Sequence, residues 1–98
     1  MLNNIEAKRL KALGQNPDFP ICLRVGKEAI NKNHADVLSK ALTAKELAKI
    51  RFVGDLDREE IRAMAEELQK ETASELVEIR GKSALYYKEN PKAKIHVL

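Results

Sequence analysis

The sequence has no tryptophan, only two phenylalanines and two tyrosines, and a single cysteine among its 98 residues. One cysteine cannot form a disulfide within the chain, which argues against a disulfide-stabilised secreted fold. So few aromatic residues leave little material for a deep apolar ligand pocket. No apolar run approaches the length of a membrane span, and no basic segment followed by an apolar one opens the chain. We therefore expect a soluble protein of the cytoplasm with no membrane partner.

Catalytic signatures are missing as well. No nucleophile and base stand at a useful spacing, no His/Cys cluster has metal-ligand spacing, and the chain has no dinucleotide-binding or Walker loop. His34 falls within the apolar stripe of a predicted helix, which is more typical of a buried, hydrogen-bonded histidine than of a ligand. We expect no enzyme activity, no catalytic residue, no metal and no cofactor.

What the chain does have is charge, and the charge is unevenly distributed. The formal net charge is +3, but residues 1–54 carry ten Lys or Arg against five Asp or Glu, residues 55–79 carry three against nine, and residues 80–98 carry five against one. A basic body with one acidic segment predicts a molecule with two different faces, and the basic face would attract a polyanion. Ordinary solvated surfaces produce the same counts, so this pattern alone leaves both interpretations open.

Hydrophobic periodicity predicts one domain over residues 1–98, with a basic C-terminal tail at 89–98. The predicted order is α-β-α-β-α-β-β. The first helix is expected to bury Leu2, Ile5, Leu10 and Leu13. The second is expected from about Asn31 to Leu42, with a turn over residues 43–45. Two crossovers through helices predict parallel strand pairs, and a closing hairpin adds an antiparallel one. We therefore expect an α/β fold in which three amphipathic helices cover a mixed four-stranded sheet.

Residues 21–31 form the stretch on which a functional interpretation most depends. Ile21, Leu23 and Val25 alternate with polar or smaller side chains as in a half-buried strand, and a glycine-lysine turn then leads to Asn31, which can cap a helix. A strand–turn–helix junction directs backbone N–H groups and a helix N-terminus outward, which suits an anion such as phosphate. An ordinary turn with a solvated lysine has the same sequence pattern, so this second interpretation stays open.

Cations also stand on the predicted strands, away from the core. They are Arg24 in the first strand, Lys49 and Arg51 in the second, and Arg80 and Lys82 at the closing hairpin. Because the first two strands are expected to be neighbours, their three cations are predicted to line a stripe that leads to the turn at Lys27.

The closing hairpin has a simple alternation of faces. Val77 and Ile79 alternate with Glu78 and Arg80, and the adjacent Tyr86 and Tyr87 must point to opposite faces of their strand. We therefore expect Val77 and Ile79 on one face and at most one of the two tyrosines in the core.

Several segments in order resemble a known family. The residues VGKEAI at 25–30 resemble a strand followed by Gly-Lys-Asn-Gly-Leu, and ELAKIR at 46–51 is similar to Glu-Leu-Ile-Lys-Val-Lys. The residues LVEIRGK at 76–82 and LYYK at 85–88 resemble a closing Val-Gln-Val-Ile-Gly-Lys…Leu-Tyr-Arg pattern. No single motif is specific, but their order and spacing resemble the YhbY family of bacterial RNA-binding proteins. This family is the stand-alone form of the CRM domain (chloroplast RNA splicing and ribosome maturation).

The resemblance implies a sheet and three helices similar to the C-terminal domain of translation initiation factor three. It also implies a GxxG loop comparable to the one with which KH domains clamp a nucleic-acid backbone. Members associate with precursors of the large ribosomal subunit. The present sequence departs from the family in two places. Ala29 replaces the second glycine of the loop, beside a negatively charged Glu28, and Leu13-Gly14 stands where the family has Ala-His.

Two functional hypotheses follow. In the first, the chain is a monomeric RNA-binding protein of ribosome assembly that binds ribosomal RNA precursor of the large subunit. Its expected contacts are Arg24, Gly26, Lys27, Glu28, Ala29, Lys32, Lys49, Arg51, Arg80 and Lys82. In the second, the chain is a protein-interaction module of ribosome assembly that docks by its acidic third helix or its tail and binds RNA weakly. Convergence of the strand cations with Lys27 on one continuous surface would favour the first.

Overall fold

A computed structural model describes residues 3–27 and 30–93, which form three helices and four strands in the predicted order. They are α1 (Asn4–Gln15), β1 (Ile21–Val25), α2 (Lys32–Lys45), β2 (Leu47–Phe52), α3 (Arg58–Thr72), β3 (Glu75–Arg80) and β4 (Ser83–Tyr87). The predicted fold class, a mixed four-stranded sheet with three helices, is confirmed. Within the described ranges no helix is both long enough and apolar enough to cross a membrane.

Each helix begins at a reciprocal side-chain cap. The caps are Asn3 with Glu6, Asn31 with His34, and Asp57 with Glu60, and in each pair both side chains accept a backbone N–H of the other residue. Such a pair satisfies two N–H groups that the first turn of a helix would otherwise leave without a partner. His34 is buried, and its Nδ1 accepts the Asn31 N–H at 3.2 Å, in agreement with the predicted structural histidine.

The second helix is longer than predicted. It continues to Lys45, so the predicted turn over residues 43–45 is wrong. Its last turn carries exposed side chains and so adds nothing to the apolar stripe, which is why the periodicity stops at Leu42. Glu46 ends the helix in the left-handed conformation with φ 64°, and its N–H donates to the Leu42 carbonyl at 2.9 Å.

The strands lie in the order β1-β2-β4-β3. β1 and β2 are parallel neighbours, as predicted, and β3 and β4 form the predicted antiparallel hairpin. The expectation of a second directly paired parallel strand is wrong, because β4 inserts between β2 and β3 and is antiparallel to both. β1, β2 and β3 therefore run in the same direction, and their C-terminal ends meet at one end of the sheet. We call this the loop end; it carries the segments after β1 and β2 and the turn at residues 81–82.

Helices cover both faces of the sheet, and this changes which strand residues are buried. α2 and α3 pack on one face around Ile50, Phe52 and Tyr86, and α1 packs on the other around Leu47, Leu85 and Tyr87. The expectation that at most one tyrosine is in the core is therefore wrong: Tyr86 and Tyr87 are 0% and 8% exposed.

The more buried tyrosine also has a buried hydrogen bond. The Tyr86 hydroxyl donates to the Ala65 carbonyl of α3 at 2.8 Å. Burial raises the pKa of Tyr86, so the hydroxyl stays protonated and remains a donor at physiological pH.

α1 makes a narrower contact than predicted. Only Leu10 of the predicted stripe is fully buried, whereas Ile5 and Leu13 are 76% and 39% exposed and Leu2 lies outside the described residues. Gly14 extends the contact between α1 and the sheet. Its backbone lies so close to Leu85 that a Cβ at this position would be only 2.6 Å from Leu85 Cδ2. The missing side chain lets the end of α1 lie directly on β4.

A β-bulge interrupts the alternation of β3. The register moves between Leu76, which pairs with Tyr86, and Glu78, which pairs with Leu85. As a result Val77 packs against the α1 side of the sheet while Ile79 packs against the α2 and α3 side. The prediction that Val77 and Ile79 share a face is therefore wrong, because the extra residue reverses the alternation.

Candidate nucleic-acid interface

Three of the predicted arginines lie in one row across the sheet. Arg24 of β1 is the register partner of Arg51 in β2, Arg51 pairs with Ser83 of β4, and Ser83 pairs with Arg80 of β3. All three arginines are exposed. We call Arg24, Arg51 and Arg80 the arginine row. Neighbouring strands are about 4.8 Å apart, so the backbones of Arg24 and Arg80 are separated by roughly 14 Å.

The arginine row is open because α1 covers only part of its face. Val25 and Phe52, the neighbours of two of the arginines along their strands, are buried under α2 and α3, so the arginines point to the other side. That side is occupied by α1 around Leu10, Leu47 and Leu85, and α1 ends at Gln15. The arginine row lies outside this contact, nearer to the loop end of the sheet.

The two predicted lysines near the row are held by hydrogen bonds. Lys49 is half-buried, and its Nζ donates to the Gly14 carbonyl at 3.0 Å, which satisfies one of the last carbonyls of α1. Lys82 is exposed in the hairpin turn, and its Nζ donates to the Gly54 carbonyl at 3.0 Å. Both ammonium groups add positive potential to the surface, but their positions are set by these contacts.

The segment after β1 continues the surface at the loop end. Gly26 follows β1 directly, Lys27 is exposed beside it, and Lys32 is the exposed first residue of α2. The end of β1 is held by the Val53 N–H, which donates to the Val25 carbonyl at 2.8 Å. Glu28 and Ala29, the other two predicted contacts, lie outside the described residues.

Gly26 has no conformational need to be glycine. Its φ lies outside the left-handed region, and a Cβ at this position would meet no atom within 4 Å. Glycine is therefore not required for the bend at this position, because its φ is one that other residues also adopt. The missing side chain instead leaves bare backbone at the surface, next to Lys27.

A shallow cavity of about 230 Å³ lies where α1 ends beside the arginine row. Its lining combines apolar atoms with charged side chains of β2 and β3 and comes chiefly from Gly14, Gln15, Lys49, Glu78, Arg80 and Leu85. Gln15 Nε2 lies 3.3 Å from each carboxylate oxygen of Glu78. Neither residue was a predicted site residue. Glu78 lies on the same face as Arg80, two residues along β3, as regular alternation predicts, but nothing in the sequence indicates that Gln15 lies opposite it.

The acidic helix α3 lies on the other side of the sheet. It packs there through Ile61, Ala65 and Leu68, and its exposed side carries Glu59, Glu66, Glu67 and Glu71. Arg62 lies on this helix and forms an exposed ion pair with Glu66, at 3.8 Å. The cationic row and the acidic helix thus take opposite faces of one sheet, and the positive potential is concentrated on the α1 side.

The exposed side chains of this surface are suited to binding an anionic ligand. Among residues 3–27 and 30–93 no three His, Cys, Asp or Glu side chains are placed to hold a metal ion. Cys22 faces a separate apolar cavity of about 320 Å³ beside Phe19 and Ala41, and burial raises the pKa of its thiol. A protonated thiol is a poor nucleophile. Exposed arginines on adjacent strands are suited to bidentate contacts with phosphate oxygens.

Comparison with known proteins identifies a matching family model and similar chains. The model of the CRS1 / YhbY (CRM) domain matches residues 2–88. A Pseudomonas aeruginosa protein, named Probable RNA-binding protein PA4753, is 31% identical over 91 residues, which are 93% of this chain and 85% of the relative. The solution structure of a hypothetical Staphylococcus aureus protein, described as a candidate RNA-binding protein, superposes with a TM-score of 0.73 at 28% identity. That alignment covers 98% of this chain and 100% of the Staphylococcus protein. Both relatives are described as RNA-binding proteins and not as enzymes, in agreement with the expectation from the sequence.

Proposed function

Because the chain belongs to the CRS1 / YhbY (CRM) domain family, we propose that it binds structured RNA through the arginine row and the adjoining segment at Gly26 and Lys27. The observation that carries this proposal is the register Arg24–Arg51–Ser83–Arg80, which aligns three exposed guanidinium groups across the sheet. Arginine is the side chain best suited to phosphate, because its planar fork donates two parallel hydrogen bonds.

The loop end adds two further elements to this surface. Lys27 and Lys32 extend the positive charge from β1 to the start of α2. Gly26 leaves backbone uncovered, so a nucleic-acid backbone can approach it closely without meeting a side chain. This is the manner in which a GxxG-type loop clamps a nucleic acid, and we assign the same part to residues 26–29.

The proposed RNA is ribosomal RNA precursor of the large subunit, and the proposed role is in assembly of that subunit. The family resemblance of the sequence supports this choice, and a cytoplasmic, monomeric protein fits it. Crosslinking in growing cells, followed by sequencing of the bound RNA, tests the assignment. Recovery of large-subunit precursor sequences is expected, whereas enrichment of messenger RNA alone would overturn this part of the proposal and leave RNA binding itself intact.

The arginine row is tested by Arg24→Gln combined with Arg51→Gln. We expect a loss of RNA affinity of more than about tenfold, because each charge-assisted hydrogen bond contributes about 1.5–3 kcal/mol. The slope of log K against log salt should also become shallower by about 1.4–1.8, the value for two lost phosphate contacts. Filter binding or fluorescence anisotropy with structured ribosomal RNA at several salt concentrations measures both quantities.

The matched control is Arg58→Gln combined with Arg62→Gln on the acidic face. Both of these arginines are exposed, and the control removes the same charge from the chain. Its affinity should stay close to that of the unmodified protein, since neighbouring carboxylates keep phosphate away from α3. Equal losses in the two double variants would mean that RNA senses only overall charge, and the proposed surface would be abandoned.

A second candidate function is docking to a protein of ribosome assembly through the acidic side of α3. The exposed Glu59, Glu66, Glu67 and Glu71 on this helix favour it. The alignment of the arginines on the opposite face supports RNA binding more directly. RNA affinity that is weak and independent of salt would favour the protein-docking function instead.

A further inference from the structure

The cavity at the end of α1 presents hydrogen-bond acceptors inside an otherwise cationic surface. Glu78 lies on the face of β3 that carries Arg80, and both side chains line the cavity. Phosphate oxygens only accept hydrogen bonds, so a carboxylate at this place repels the phosphates that the arginine row attracts. The cavity therefore suits a part of RNA that donates a hydrogen bond, which the phosphates do not.

The carboxylate of Glu78 orients the amide of Gln15. Gln15 Nε2 lies 3.3 Å from both Glu78 oxygens, so the NH₂ group of Gln15 occupies this edge of the carboxylate. A carboxylate accepts hydrogen bonds and does not donate them, so the nitrogen of the amide is fixed towards β3 and the carbonyl oxygen Oε1 is directed elsewhere. Gln15 is exposed, and among residues 3–27 and 30–93 no group donates a hydrogen bond to this oxygen. Gln15 Oε1 is thus an acceptor held in place for a ligand.

Two other side chains of the cavity complete a site for a hydroxyl group. The Ser83 hydroxyl donates to the Arg80 carbonyl at 2.9 Å, so its proton is used within the chain and its oxygen remains an acceptor. Lys49 Nζ donates to the Gly14 carbonyl and keeps further N–H donors for a ligand. A hydroxyl group both donates and accepts, and this cavity offers it both kinds of partner.

The size and position of the cavity suit a ribose. Leu85 is buried directly against Gly14, which closes the apolar floor and leaves a cavity of about 230 Å³ with a predominantly polar lining. Arg80 lines this cavity and also belongs to the arginine row. In RNA the carbon that carries the 2′-hydroxyl is bonded to the carbon that carries the 3′-phosphate. A phosphate bound by Arg80 therefore brings the 2′-hydroxyl of the same nucleotide beside the cavity.

We propose that this cavity binds a ribose 2′-hydroxyl of the RNA backbone, which donates to Gln15 Oε1 and accepts from the Lys49 ammonium group. Within a strand the 2′-hydroxyl is the hydrogen-bond donor of the sugar–phosphate backbone, and DNA lacks it. Gln15 thus selects RNA over DNA, and Glu78 is a positioning residue that holds the Gln15 amide. This selection is independent of base sequence. The inference rests on the proposed RNA-binding function and adds to it a means of rejecting DNA.

The test uses two forms of one structured ribosomal RNA hairpin. One form has ribose throughout, and the other has a 2′-fluoro group on every nucleotide. The fluorinated form keeps the A-form geometry and the phosphate charge of RNA, but its sugars cannot donate a hydrogen bond. We expect the protein to bind the ribose form about three- to tenfold more tightly, the effect of one hydrogen bond. Equal affinities for the two forms would overturn the proposal.

The variant Gln15→Met assigns the preference to this cavity. Methionine has a similar length but no carbonyl oxygen, so the variant should lose the preference for the ribose form and keep the salt dependence of binding. Gln69→Met is the matched control, because Gln69 lies on α3, on the opposite face of the sheet, and the substitution is the same. The control should keep the preference. A preference for ribose that persists in Gln15→Met would refute the proposed site.

The variant Glu78→Gln separates positioning from simple repulsion of phosphate. If Glu78 holds the Gln15 amide, the variant loses part of the preference for ribose, although removal of the negative charge leaves its overall affinity equal or higher. If Glu78 only repels phosphate, the variant binds both hairpins more tightly by the same factor, and the positioning role is refuted. Glu75→Gln removes the same charge at the other end of β3, opposite Tyr87, and should keep the preference.

Failure of 2′-hydroxyl recognition is separable from failure of RNA binding. A protein that binds both hairpins equally, with steep salt dependence that Arg24→Gln combined with Arg51→Gln reduces, retains the proposed function and loses only the ribose site. A protein that binds neither hairpin loses both. Thermal unfolding of each variant checks that the fold is intact.

Discussion

Gly14→Ala is expected to destabilise the fold by about 1–2 kcal/mol, because α1 lies too close to β4 to accommodate a methyl group. A Cβ at position 14 would lie 2.6 Å from Leu85 Cδ2 and 2.7 Å from Cδ1. Leu85 is 4% exposed and packed against Leu10 and Leu47, so moving its methyl groups aside disturbs that packing. Overpacking of this kind costs about 1–3 kcal/mol, and the better helix propensity of alanine recovers up to about 1 kcal/mol. The stabilisation from helix propensity is smaller in the last turn of a helix, where Gly14 lies.

Urea unfolding followed by circular dichroism measures this loss. A decrease of 1 kcal/mol corresponds to a Tm lower by about 4–8 °C in a domain of this size. Gly26→Ala is the matched control, since its Cβ would meet no atom within 4 Å and its φ suits any residue. The control should be unchanged or more stable by up to about 1 kcal/mol, because alanine restricts the unfolded chain. If Gly14→Ala were as stable as the unmodified protein, the close packing of α1 on β4 would not be the reason for glycine at this position.

Two further predictions concern the core and the loop. Tyr86→Phe should lose about 1 kcal/mol at neutral pH, because it removes the hydroxyl that donates to the Ala65 carbonyl at 2.8 Å. Because burial raises the pKa of Tyr86, its contribution is fully present below the unfolded value of about 10 and is lost as the pH rises above that value. Urea titrations between neutral pH and pH 11 should therefore show a steeper alkaline decline for the unmodified protein than for the variant; parallel declines would contradict this account. In the loop, Glu28→Asn should strengthen RNA binding by removing a negative charge near phosphate, and Ala29→Gly should strengthen it modestly. Unchanged anisotropy titrations for both variants would exclude residues 28 and 29 from the contact surface.

The sequence predicts two members of the arginine row, Arg24 and Arg51, from local patterns. The third cation of the predicted stripe is Lys49, whereas the third member of the row is Arg80 and Lys49 donates to the Gly14 carbonyl. Alternation in residues 21–25 and 47–53 places Arg24 and Arg51 on the faces of their strands away from α2 and α3, and the helical crossover makes the two strands parallel neighbours. The helix starts are equally predictable, because each cap pair lies within four consecutive residues. These features depend on short stretches of chain whose periodicity and turn chemistry agree.

The features that sequence reasoning misses depend on distant parts of the chain. Val77 to Arg80 alternate regularly in the sequence, yet β3 has a bulge between Leu76 and Glu78 that this alternation does not indicate. The same two-sided covering buries both Tyr86 and Tyr87. The cavity beside the arginine row is formed by the end of α1 and by β3 together, and its residues Gln15 and Glu78 are 63 positions apart in the sequence. A site assembled from such separated segments becomes visible only when the fold is known.

The strand order has a consequence for how the protein is made. Within residues 3–27 and 30–93, β4 is the last strand, yet it lies in the interior of the sheet and pairs with both β2 and β3. When a nascent chain has emerged from the ribosome only as far as β3, β4 is not yet available. No other strand then connects β3 to the β1–β2 pair. The sheet therefore closes after synthesis of residues 83–87 and their release from the exit tunnel, and the fold forms late and nearly at once. A message truncated before this strand would leave the edges of β2 and β3 that β4 covers without a partner, and we expect proteases to degrade such a chain.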